Sequence, residues 1–158
     1  MTLAAELADL FQRDLTRLVQ QVHAFANREV LWECPPGITN SAGNLMLHLE
    51  GNLREYVCRL LGGLPYQRER DREFSSTGVS GSDIAARLEE VSRLVPGAIR
   101  QLTKEQMEAA YPENPLGKTL TTQQFLIHLN GHLNYHLGQI DYLRRLLTRG
   151  EAVRYAGL

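Results

Sequence analysis

The chain has 158 residues, 43% of them hydrophobic and 22% charged, which predicts one globular domain around a single core. Seventeen basic residues against eighteen acidic ones leave a net charge of −1, which argues against a nucleic-acid binder working through a basic surface. No apolar run is long enough to span a membrane and no basic leader opens the chain, so a cytoplasmic protein with no membrane partner is expected.

The first helix is predicted from about Thr2, a plausible cap, to about Asn27, with Leu7, Phe11, Leu15, Leu18 and Val22 at helical spacing. His23 lies beside that stripe and reads as a partly buried histidine bonded to a neighbour. Cys34 and Cys58 lack metal or redox spacing and read as two free thiols. Pro35-Pro36-Gly37 closes the region, since paired prolines cannot continue a helix.

A second helix is predicted from Asn40 or Ser41 to Leu61, with Leu45, Leu49, Leu53, Val57 and Leu60 in its core. His48 stands at the edge of that face, between the polar Asn44 and Asn52. Leu64 to Gly81 shows no periodicity and reads as a long connection. Within it, Gln67 to Glu73 mixes charges of both signs. A third helix opens at Ser80 or Ser82 and runs through Ile99, with Pro96-Gly97 predicting a kink or break. Thr103 to Ala110 reads as a short helical turn and Tyr111 to Lys118 as a loop.

The last helix spans Thr121 to Leu147 and is expected to end at Gly150. Thr121 and Gln124 have the spacing of a capping box, with Leu120 and Phe125 placed as a hydrophobic staple. Leu126, Leu129, Leu133, Ile140, Leu143 and Leu147 form its seam, and His136 takes the slot where an apolar residue is due. Four long helices without a strand predict an all-α four-helix bundle with a long connection between its second and third helices.

His128, His132 and His136 follow one another at intervals of four on that helix. Imidazoles one turn apart share a face about 6 Å apart, which suits one ion. His128 and His136 are separated by about 12 Å along the axis, so one site uses only one neighbouring pair. At 100° per residue, His136 falls roughly 30° from the seam, His132 roughly 70° and His128 roughly 110°. That selects His132 and His136. A third ligand is expected from another helix, and His23 and His48 are both open to that role. The Glu-x-x-His pattern of di-iron bundles and the His-Glu-x-x-His pattern of metalloproteases are both absent, because leucines occupy the diagnostic positions.

His48 together with His132-x-x-x-His136-x-Gly138-Gln139-Ile140 resembles the DinB/YfiT-like superfamily. His48-Leu49-Glu50-Gly51-Asn52-Leu53 and Arg68-Glu69-Arg70-Asp71-Arg72-Glu73-Phe74 are similar to one uncharacterised branch with an Arg-x-Arg-Asp-x-Glu-Phe segment. The resemblance implies a four-helix bundle, a site for zinc or nickel made by His48, His132 and His136, and homodimers. Better-understood relatives of this kind activate a low-molecular-weight thiol, so a thiol S-transferase-like enzyme acting on a small-molecule substrate is implied, with hydrolysis as a variant. The alternative is a non-catalytic stress-response or binding module whose metal is structural or absent.

Asn44, Asn52, Tyr135 and Gln139 are candidates to orient ligands or substrate. Arg68 and Arg70 are candidates to clamp an anionic substrate or thiol, with Glu73 held near the site by a buried Phe74. The bland reading of the same segment is a solvated linker whose charges pair locally.

Overall fold

Thr2 opens the first helix: its Oγ1 accepts from the Ala5 amide at 3.2 Å, and α1 runs Leu3–Ala24. The computed structural model describes residues 1–25 and 28–155. The expected end of α1 at Asn27 lies outside these residues; the helix proper stops at Ala24. Leu7, Phe11, Leu15, Leu18 and Val22 are buried along one stripe, as their spacing predicts.

A 3-10 turn (Arg28–Trp32) precedes α2 (Ala42–Leu53), which Ser41 caps by accepting from the Asn44 amide. All twelve residues of α2 are buried, including Asn44, His48, Glu50 and Asn52. His48 was expected at the edge of an apolar face. Instead it is buried, because a further helix covers that side. Past Leu53 the winding loosens into a π-helical stretch, Arg54–Arg59, in which the Leu60 amide donates to the Glu55 carbonyl and Gly62 to that of Val57. The run predicted to Leu61 is therefore helical to Arg59, wider than an α-helix over its last six residues, and Leu60 and Leu61 lie in the turn that follows.

The connection expected over Leu64 to Gly81 contains α3 (Arg70–Ser75). Six residues are too few to show a period, and its stability comes from outside: Nδ2 of the Asn44 side chain donates to the Glu73 carbonyl at 3.0 Å and to that of Ser76 at 2.9 Å. Ser80 caps α4 (Gly81–Arg100), which runs on through Pro96-Gly97, so of the kink or break expected there no break occurs. Ile99, beyond the proline, is fully buried, and that packing holds the last turn in place.

Thr103 and Gln106 form a capping box on α5 (Lys104–Glu108). Main-chain bonds from Tyr111 to Leu120 and from Thr122 to Ala109 then tie the ends of the intervening loop together. The predicted capping box of Thr121 and Gln124 starts α6 (Thr122–Thr148). Its end differs by one residue from expectation: Arg149, with φ 53°, takes the left-handed cap rather than Gly150.

The four long helices α1, α2, α4 and α6 form the bundle. α1 lies along α4 and α6, while α2 packs between α6, α4 and α3. Among the described residues no helix is long and apolar enough to cross a membrane.

Candidate metal centre

Two helices supply the histidines. His48 comes from the buried α2, and His132 and His136 from successive turns of α6. One ligand-capable nitrogen from each lies within 4.8 Å of the others, and the Nε2 atoms of His48 and His132 are 3.1 Å apart. His136 does not fill the apolar slot predicted for it. Leu137 is buried there, and His136 turns half out towards His48.

Two of the three rings are held from behind. His48 Nδ1 donates to Glu73 Oε2 at 2.9 Å, and His136 Nδ1 donates to Gln139 Oε1 at 2.7 Å. Each bond places the ring's remaining lone pair on Nε2, the atom that faces the cluster. His132 is different, since its Nδ1 is buried without a partner.

Glu73 is fixed on three sides. Arg68 grips it in bidentate fashion, Nε to Oε1 at 2.7 Å and a terminal nitrogen to Oε2 at 2.8 Å. His48 takes the same Oε2. Behind the carboxylate, Gly51 leaves a gap in α2, and a β-carbon there would collide with Oε1. Burial alone would raise the carboxyl pKa, but the hydrogen bonds and charges of Arg68 and His48 prevail, so it lies below the usual range and the group is ionised. Phe74 was expected to be buried and Glu73 merely nearby. The reverse holds: Glu73 is buried, and the half-exposed Phe74 stands 4.8 Å from the His48 ring.

Electrostatics favour neutral imidazoles. Burial, then the neighbouring His136 and His48, lowers His132 to about 4, and burial also lowers His136. Neutral rings that each turn a nitrogen toward the others are the donor set that a divalent cation takes.

The other predicted residues divide. His128 is exposed, stacked 5.9 Å from Phe125, and outside the cluster. His23 is exposed rather than partly buried, its Nε2 3.4 Å from Glu89 on α4. Arg68 is committed to Glu73, which places it behind His48 rather than over the cluster. Arg70 is exposed, its guanidinium 5.3 Å from the Phe74 ring. Tyr135 is exposed, 5.2 Å from His136, and Asn44 anchors α3. Sequence reasoning missed Gly51. Its signal was present, a glycine one turn after a candidate ligand within a helix.

The cluster stands between two clefts. One of about 290 Å³ is bounded by His48, His132, Asn52 and Arg70; the other, of about 600 Å³, by His136, Gln139, Tyr142, Leu143 and Leu146.

A helical bundle with a three-histidine cluster braced by carboxylate and amide groups defines the class. The chain belongs to the DinB superfamily, whose pattern it matches over residues 4–140. Three crystal structures share its fold. A DinB-like protein of Bacillus subtilis is 13% identical, with a TM-score of 0.70, over 95% of this chain and 97% of its own. Another from Bacillus cereus ATCC 10987 is 18% identical, with a TM-score of 0.71, over 96% and 95%. A conserved protein of Enterococcus faecalis is 15% identical, with a TM-score of 0.69, over 95% and 99%. No curated protein matches the chain.

Proposed function

We propose that the protein is a divalent-metal-dependent enzyme of the thiol S-transferase type, with His48, His132 and His136 as ligands to zinc or nickel. The observation that carries this reading is the approach of three ligand nitrogens to within 4.8 Å of one another, two of them on rings whose outer nitrogens are already bonded to Glu73 and Gln139. When bound, such an ion supplies Lewis acidity that makes a water or thiol nucleophilic near neutral pH.

The protein's own residues do the rest. Glu73, ionised and gripped by Arg68, keeps a proton on His48 Nδ1 and strengthens Nε2 as a donor. Gln139 holds His136 in the matching tautomer. Three protein ligands, with clefts on either side, support turnover rather than a closed structural site, for which a fourth protein ligand is the rule. The broad apolar walls given by Tyr142, Leu143 and Leu146 suit the electrophile, and the smaller polar cleft suits the thiol.

The test combines elemental mass spectrometry of untagged protein with a transfer assay, using cysteine as thiol and a chloronitrobenzene as electrophile. Near-stoichiometric zinc or nickel, lost in His48→Ala and His132→Ala, with transfer that follows the metal, is expected. Metal without transfer would reduce the reading to a non-catalytic binding module. Failure to take up metal even on reconstitution would end both.

A further inference from the structure

Among the described residues, two buried side-chain atoms lack a hydrogen-bond partner: Oδ1 of Asn52 and Nδ1 of His132. Both residues line the 290 Å³ cleft. Asn52 is 7% exposed, and its side chain forms no hydrogen bond with any described residue. An amide oxygen held out of water with nothing to bond is costly, and an apolar residue of the same shape would fill the position better. Asn52 lies one turn beyond His48 on α2, about 6 Å along the same face, so whatever it binds sits beside the histidines.

The charge of the cleft has one sign. Its wall carries Arg68 and Arg70 and no carboxylate. Arg68 is neutralised from behind by Glu73. Arg70, at the rim, stacks on Phe74 and has no carboxylate within ion-pairing distance among the described residues. A planar amide deep in the cleft and an unneutralised guanidinium at its mouth are complementary to one kind of ligand.

We infer that this cleft is a subsite for a small carboxylic acid, its carboxylate on Arg70 and an adjacent amide or hydroxyl group on Asn52. As the polar substrate's subsite, it rests on the transferase reading given above; as a binding site, it stands by itself. The group on Asn52 both donates and accepts, because the asparagine offers both functions and satisfies neither internally.

N-acetylglycine is the probe, since it joins a carboxylate to an amide. Titration calorimetry would compare it with its methyl ester, which lacks the charge, and with propionate, which lacks the amide. Wild-type protein would be examined both stripped by chelator and loaded with zinc, alongside Asn52→Leu and Arg70→Gln. N-acetylglycine should bind wild type at least about tenfold more tightly than either comparator. Asn52→Leu should lose about tenfold or more in affinity while its Tm holds or rises by about 2–4 °C, the mark of a residue kept for binding at the expense of stability. Arg70→Gln, a change on the surface that leaves the fold intact, should weaken N-acetylglycine and leave the ester unaffected.

No heat at about 10 mM probe, or equal affinity for all three compounds, would overturn the inference. So would undiminished binding by Asn52→Leu. Should Asn52→Leu fail to fold, the Arg70→Gln and ester comparisons decide. Binding to a protein that never takes up zinc would sink the transferase reading and leave the subsite standing.

Discussion

The Glu73 carboxylate lies against the backbone of Gly51, in space that any β-carbon would fill. Gly51 is one turn past His48, so this gap is what lets a carboxylate from α3 reach the outer nitrogen of a ligand on α2. Gly51→Ala should push Glu73 away, breaking its bond to His48 while the bundle stays helical. Metal affinity should drop by about 10–100-fold, measured by competition with a chromophoric chelator. Unchanged affinity with unchanged helicity would show that Glu73 plays no part in the site.

His136 is in the cluster and His128 is not, although each is four residues from His132. His136→Ala should lower metal affinity by at least about tenfold, and His128→Ala should leave it close to wild type. Similar losses in the two variants would mean that the wrong turn of α6 has been assigned.

Asp14 on α1 is fully buried and bonded to Arg13, Asn130 and Asn134. Burial alone would raise its pKa, but the bonds from Arg13, Asn134 and Asn130 and the charge of Arg13 outweigh that, and the net shift is downward. The unfolded chain therefore takes up this proton at a higher pH than the folded one. Stability from Asp14 is complete at neutral pH and is lost as pH falls from about 5 through the folded value. The difference in urea midpoint between wild type and Asp14→Asn should be large at pH 7 and much smaller at pH 3. An equal difference at the two pH values would contradict this account.

The cysteines should separate by reactivity. Cys34 is exposed, whereas Cys58 is buried and its thiol is pushed up to about 11 by that burial. Iodoacetamide at pH 8 should add one label to native protein, at Cys34, and two after denaturation, as read by peptide mass spectrometry. Rapid labelling of Cys58 in native protein would show that the π-helical stretch opens.

Local signals carried far into the fold. The capping box at Thr121 involves residues three apart and was legible as spacing, whereas the same three-residue spacing at Thr103 and Gln106 went unread. The long apolar stripes of α1 and α4 were legible as period. What escaped notice depends on contacts between distant segments. The six-residue α3 exists because Asn44, 29 residues earlier, holds its backbone. Glu73 turns inward because Arg68, His48 and the gap at Gly51 meet it there, against the ordinary preference that would bury Phe74. Periodicity also could not separate His136 from Leu137, adjacent residues near the border of one stripe; the burial of Leu137 decided which way the ring faced.

Asn130 and Asn134, which grip Asp14, alternate along α6 with His132 and His136 and lie on nearly the opposite side of that helix. A rod clamped along one flank cannot roll. The aim of the two imidazoles is thus set from across the bundle, by an α1 carboxylate that never touches them. A substitution at Asp14 that spared the overall fold would act like a loosened set-screw, turning the ligands of α6 out of register with His48.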